Sequence, residues 1–334
     1  MSVKKVKLEH GAGGELMEEF IKNLSSLIKL KSTKNGRGLD KLEDAGIATI
    51  GKIKIALTTD SYTVKPIFFP GGNIGKLAVC GTINDLAVMG AEPIALSVSY
   101  ILEEGFDVKY LEKITTSISR TSHLIGVPII TGDTKVMEHG KIDNIVINTS
   151  GIGVVKKLIT NDGARVGDKI IVSGSVGEHG IVLLANRFNF HTSLKSDCAC
   201  VLDLVREVLK IGGVTAMKDP TRGGLAACLN ELAKKSNVGF FIKEESIPCK
   251  DEVKSIGEVL GVDPLQTACE GRVVMCVRPE KAEEVLKVAK KFNPSASIIG
   301  EVRKEPKGKV LMETAIGGKK FLESPIGELY PRIC

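Results

Sequence analysis

Lys52 to Thr58 alternates its side chains with a period of two and runs straight into Thr59-Asp60-Ser61. The chain then passes through Phe68-Phe69-Pro70-Gly71-Gly72-Asn73-Ile74-Gly75-Lys76 and enters a predicted helix over Leu77 to Met89 that carries Asn84-Asp85. The alternation reads as a half-buried strand, the glycine-rich stretch as a turn, and the apolar run beyond it as a helix. Strand, loop and helix in that order build a mixed α and β domain and deliver polar side chains at the junction. Gly75-Lys76 has the look of a phosphate loop, but the position that needs the first glycine holds Pro70 and the Ser/Thr position holds Leu77, so the Walker pattern fails.

On the carboxyl side the same alternation of elements continues. Ile94 to Tyr100 reads as a strand, Val108 to Ile125 as a helix, and Val127 to Thr131 as a short buried strand that delivers the turn Gly132-Asp133-Thr134-Lys135. Ile145 to Val155 closes the first half, and Lys156 to Asp168 reads as a linker. The second half predicts strands over Lys169 to Ser173, Val238 to Ile242, Arg272 to Val277 and Ser297 to Val302. Its helices are expected over Cys200 to Ile211, up to Ser236 after Lys218-Asp219-Pro220-Thr221-Arg222-Gly223-Gly224, near Glu252 to Leu260, and over Glu280 to Lys290. On the amino side, His10-Gly11-Ala12-Gly13-Gly14 opens a helix over Glu15 to Leu30, either as a simple turn or as backbone N–H groups aimed at a phosphate.

The chain has 334 residues, enough for two domains with ordinary cores. Its net charge of +6 comes from Lys and Arg interspersed with Glu and Asp, and only 4% of residues are aromatic, so nucleic acid is not the expected partner. Eight cysteines without a C-x2-C pair imply reduced thiols and a cytoplasmic protein, and the five histidines form no zinc pattern. Met1 to His10 lacks the apolar core of a secretory signal, and no stretch is apolar for the roughly 18 residues of a membrane helix. No membrane association is expected.

Asp44 sits before Ala-Gly, Asp60 ends a strand, Asp85 lies within a helix, Asp133 stands in a turn, and Asp219 lies between a strand and a helix. Each fits a capping role; as a set they are hard oxygen ligands of the kind Mg²⁺ takes when it arrives with a triphosphate. Lys135 is placed to neutralise charge on a transferred phosphoryl group, or to be a solvated surface lysine. Glu270 precedes an apolar strand; a carboxylate there is more commonly a surface turn residue, while burial would raise its pKa and make it a better proton acceptor near neutral pH. The chain ends Glu323-Ser-Pro325-Ile-Gly327-Glu-Leu-Tyr-Pro331-Arg-Ile-Cys334, in which two prolines and a glycine forbid a continuous helix. Such a segment is either a frayed terminus or a mobile arm that carries a thiol.

Asp44-Ala-Gly46, Thr59 to Tyr62, Phe68 to Lys76, Asn84 to Ala91, Thr131 to Val136 and Asp219 to Gly224 resemble the motifs of the aminoimidazole-ribonucleotide synthetase superfamily. That superfamily includes selenophosphate synthetase and thiamine-phosphate kinase. The terminal Pro331-Arg332-Ile333-Cys334 narrows the resemblance to the HypE family, which makes the cyanide ligands of the nickel-iron hydrogenase site, and it covers His10 to the last residue.

The resemblance implies an α/β (α+β) chain with a two-domain aminoimidazole-ribonucleotide synthetase-like fold and a flexible C-terminal tail. Residues 1–40 would form the glycine-rich loop and first helix, 41–156 the ATP-binding and dimerisation domain, 169–304 the second α/β domain, and 322–334 the mobile tail. It implies ATP and Mg²⁺ as cofactors, with Asp44, Asp60, Asp85 and Asp219 on the metal. Gly11, Gly13, Gly14, Asp60, Asn73, Asp85, Asp133 and Thr134 would lie around the nucleotide. Cys334 would carry an S-carboxamide that ATP-dependent dehydration converts to a thiocyanate, with Lys135 and Glu270 as catalytic partners. The implied partners are a second copy of the chain, the carbamoyltransferase HypF and the iron-carrying HypC-HypD complex. Two other readings stay open: a selenophosphate synthetase-like kinase, although Glu9 to Glu15 lacks the reactive Cys, and a non-catalytic maturation scaffold with a docking tail.

Overall fold

The computed structural model describes residues 5–327 and residue 333. Helix α1 (Glu15–Ser26) precedes a first unit made of β1 (Gly46–Ile50), β2 (Ile53–Tyr62), the short pair β3 (Phe68–Phe69) and β4 (Gly72–Asn73), α2 (Ile74–Val88), β5 (Ala91–Glu103), α3 (Val108–Ile125), β6 (Ile129–Met137) and β7 (Ile145–Val155). Its five-stranded sheet has the order β1-β2-β7-β5-β6. Neighbours are antiparallel except β5 and β6, which run parallel.

The two faces of this sheet differ in the way period-two alternation dictates. Ala56, Thr58 and Tyr62 of β2 and Ile147 and Thr149 of β7 are buried on the face covered by α2 and α3. The opposite face presents Leu57, Thr59 and Ser61, with Asn148 donating to the Thr59 and Ser61 hydroxyls at 3.2 and 3.1 Å. Helix α2 is apolar on nearly every side and almost wholly buried, because it packs on the sheet, on α3 and on the second unit at once. The Asn73 side chain caps it, accepting from the backbone N–H groups of Gly75 and Lys76 at 2.9 and 3.0 Å.

The second unit contains β8 (Lys169–Val172), α4 (Glu178–Arg187), α5 (Leu202–Ile211), β9 (Val214–Lys218), α6 (Gly224–Ser236), β10 (Gly239–Lys243), α7 (Asp251–Leu260), β11 (Val274–Val277), α8 (Pro279–Phe292), β12 (Ser297–Arg303), β13 (Val310–Glu313) and β14 (Lys319–Phe321). Its seven-stranded sheet has the order β14-β13-β10-β12-β8-β11-β9. One apolar cluster runs through both units, joining Leu77, Ile83 and Leu96 of the first to Leu202, Val205 and Met217 of the second. No helix among the described residues is long and apolar enough to cross a membrane.

Three expectations need correction. Gly132 to Lys135 is no turn: it lies inside β6, where pairing with β5 carries the strand on to Met137. Residues 156–168 are no loose linker, because Ile159, Asn161, Ala164 and Asp168 are buried and Lys156 donates its backbone N–H to the Gly90 carbonyl. The second sheet also continues past residue 304, since β13 pairs with β10 and β14 with β13.

Candidate active site

Asp44 in the turn before β1, Asp85 on α2 and Asp219 after β9 each offer a carboxylate oxygen, all within 4.8 Å of one another. The Thr58 hydroxyl lies 3.0 Å from the Asp44 carbonyl and 2.8 Å from Asp85 Oδ2, tying β2 to two of the three. Lys218 pairs with Asp44, and burial opposes its charge while Asp44, Glu231 and Asp219 raise its pKa well above the usual lysine range. One ammonium does not balance the group. Burial, then the nearby Asp60, Asp219 and Asp44, push Asp85 well above the carboxylate range, and burial with Asp44 pushes Asp219 up to about 7. Asp219 Oδ2 is buried and has no hydrogen-bond partner among the described residues. A set of hard oxygens short of positive charge, with one oxygen unpartnered, fits Mg²⁺. Asp60, on β2, stands at the edge of this group and accepts from the Tyr62 hydroxyl at 3.2 Å.

Glu270 is buried, at 2% exposure, where a carboxylate in a turn before a strand is more commonly at the surface. Its Oε1 has no hydrogen-bond partner among the described residues. Burial first, then Cys198, Asp219, Asp197 and Asp60, hold its pKa well above the carboxylate range, so it is poised to exchange a proton. Its backbone is fixed from both units. Asp197 accepts its N–H at 3.3 Å, and Asn84 of α2 donates to the carbonyls of Ala199 and Glu270 at 3.0 and 3.4 Å while accepting from Val201 at 2.9 Å.

The glycine loop, the Asp219 to Gly224 turn and the start of the tail converge. A Cβ on Gly13 would sit 2.8 Å from the Arg222 carbonyl carbon, and one on Gly14 only 1.9 Å from the Pro325 carbonyl oxygen, both at positive φ. Between them opens a cavity of about 590 Å³, lined by Gly11, Ser61, Arg222, Thr267, Pro325 and Ile333 among others. Cys334 lies outside the described residues. Ile333 is held by His179, whose Nε2 is 2.7 Å from the Ile333 carbonyl and whose Nδ1 is 2.7 Å from Ser196 Oγ.

Asp133 and Lys135 are not brought to the acidic cluster. The registers Asp133↔Ser99, Ser99↔Asn148 and Asn148↔Ser61 put Asp133 on the open face of the sheet, with Lys135 two residues along, while Asp85 lies beyond the other face. Thr134 pairs with Tyr100 on the helix side, at the exposed edge. Asn73 spends its side-chain oxygen on the α2 cap.

Family models for AIR synthase related proteins match both units, the N-terminal domain over residues 42–155 and the C-terminal domain over 165–313. A carbamoyl dehydratase HypE from Rhizobium leguminosarum is 44% identical over 99% of this chain and 95% of its own length. The chain belongs to the HypE family of carbamoyl dehydratases. Among solved structures of HypE proteins, a HypE-HypF complex matches with TM-score 0.84 and 40% identity over 93% of this chain and 100% of the other. A hydrogenase maturation protein HypE in complex with ATP matches with TM-score 0.82 and 38% identity over 99% and 100%.

Several residues that shape this HypE-family site carried no usable sequence signal. Lys218 looks like any lysine beside an aspartate, and Asn161, which donates to Asp44 Oδ2 at 3.3 Å, sits in an apparent linker. Asn84 was visible only as the neighbour of Asp85, whereas its clamp on the second unit depends on residues 115 and 186 positions away. His179 belongs to α4, a helix the sequence did not suggest because its ten residues are almost all buried and show no polar face.

Proposed function

We propose that this chain dehydrates a carbamoyl group carried on its own terminal Cys334 as an S-carboxamide, using ATP and magnesium, to give a protein thiocyanate. The observation that carries the reading is that the residue before Cys334 is hydrogen-bonded within the cleft where the Gly11 to Gly14 loop and the Asp219 to Gly224 turn meet. The carboxamide oxygen cannot depart unaided, because it would leave as hydroxide. It attacks the γ-phosphorus and displaces ADP; loss of two protons from nitrogen then breaks the C–O bond, releases phosphate and forms C≡N, while the S–C bond stays intact.

Glu270 is the proposed base for the nitrogen protons, buried with an unpartnered Oε1 and its pKa raised by burial. Asp44, Asp85 and Asp219, with Asp60 at the edge, would hold magnesium, which neutralises the triphosphate when bound. Gly11 would present bare backbone to the phosphates, while Gly13 and Gly14 let the loop close on Arg222 and Pro325. Asp133, Thr134 and Lys135 are proposed to serve the phosphate end from the edge and open face of the first sheet, which a homodimer would enclose. HypF would load the thiol in the cytoplasm, and the thiocyanate would pass its cyanide to the iron held by HypC-HypD.

The test follows the intact mass of the C-terminal peptide after carbamoyl loading and addition of Mg-ATP. A loss of one water that requires ATP is expected. No loss, or equal loss without ATP, overturns the reading. Lys135→Ala and Glu270→Gln should retain the carboxamide and fail to dehydrate it; normal rates in either remove that residue's assigned role.

A further inference from the structure

We propose that His179 is the positioning residue that seats the carrier arm, by gripping the backbone carbonyl one residue before Cys334. The inference rests on Cys334 being the carrier. His179 is fully buried on α4, and its ring is braced from both units. The edge of Phe69 from the first unit meets it at 5.3 Å and 84°. Ser196, its partner through Nδ1, is fixed by donating its backbone N–H to the Pro70 carbonyl at 2.8 Å.

The hydrogen bonds leave one consistent assignment of protons. The Ile333 carbonyl can only accept, so His179 Nε2 carries the hydrogen. A neutral ring then has a lone pair at Nδ1, and the Ser196 hydroxyl donates to it. Ser196 Oγ in turn accepts the Cys198 N–H at 3.0 Å. The backbone of the second unit thereby sets the hydroxyl, the hydroxyl sets the tautomer, and the tautomer presents one donor to the arm.

What this donor reads matters for the chemistry. It contacts the main chain of Ile333, an interaction open alike to a free thiol, a carboxamide or a thiocyanate on Cys334. The Ile333 side chain supplies the rest of the seat, packing against the apolar clusters that contain Leu183 and Leu194. An arm held this way is located for dehydration in every loading state, yet is bound weakly enough to leave.

The experiment uses the full chain and separates two half-reactions: loading of Cys334 by the carbamoyltransferase, and single-turnover dehydration of the loaded protein on adding Mg-ATP. His179→Phe keeps a buried ring and removes the donor; His179→Gln restores an amide N–H near the Nε2 position. His179→Phe should slow dehydration tenfold or more, leave loading within twofold, and speed iodoacetamide alkylation of the C-terminal peptide. His179→Gln should recover part of the rate. Wild-type dehydration in His179→Phe overturns the proposal, as does an equal fall in both half-reactions together with the melting temperature. If the wild type itself does not dehydrate, the carrier chemistry fails. The seat is then judged by alkylation alone, faster in His179→Phe supporting it and unchanged overturning it.

Discussion

Glu270 and His179 are both buried titratable groups, and they differ in what their surroundings ask of them. Burial raises the carboxyl of Glu270 among other acidic groups, while burial lowers His179 to about 4 against only the weak pull of the Ile333 carbonyl. Between pH 6.5 and 4 the folded chain therefore binds fewer protons at His179 than the unfolded chain does. Its contribution to stability is full above 6.5 and is lost as the pH falls toward 4, by about 3 kcal/mol at 1.36 kcal/mol per unit. Urea melts at pH 7 and pH 4.5 should show a steeper loss for the wild type than for His179→Phe, and equal slopes would contradict it. The burial of Glu270 was one of two outcomes the sequence left open, because what encloses it comes from Asp197 and Asn84, far along the chain. The setting of His179 was not legible, since its partner carbonyl lies 154 residues along the chain.

At the scale of elements, α3 with its single apolar stripe was readable to its ends. α3 runs over the expected Val108–Ile125, bounded by the Asp107 cap and Gly126 in the left-handed region. β6 misled because Gly-Asp-Thr carries turn chemistry, and only the neighbouring β5, invisible to local pattern, holds those residues extended. The approach of Gly14 to the Pro325 carbonyl joins the amino-terminal loop to the carboxyl-terminal segment. Gly14→Ala places a methyl group in that contact and forces alanine to φ +79, ψ −163, at a cost of order 1–3 kcal/mol. The expected result is a lower melting temperature with faster hydrogen exchange in the peptide that includes 323–327. Unchanged exchange there would show that the contact is not held in solution.

For the whole molecule, two units of mixed α and β were readable from element order, but the shared core between them was not, because apolar residues do not announce which side they pack on. The same holds for the open face of the first sheet. Ile55 pairs with Val154 and Leu57 with Ile152 there, and Leu57 is 59% exposed, an apolar strip beside the polar row of Thr59 and Ser61. Leu57→Asp should halve the molar mass measured by light scattering if this face joins two copies. A mass equal to that of the wild type would place the dimer elsewhere or remove it.

Helix α2 is 15 residues long, a rod of about 22 Å at 1.5 Å per residue. Five residues before it begins stands Phe69, against the His179 ring; near its far end Asn84 and Asp85 face the second unit and the acidic cluster. It is packed along its length by the first sheet, by α3 and by the second unit. Were occupancy of the acidic cluster to alter the hold of His179 on Ile333 through this helix, reciprocity would demand that each change the other's equilibrium constant by the same factor. The hold on Ile333 would then be a gauge of what occupies the cluster.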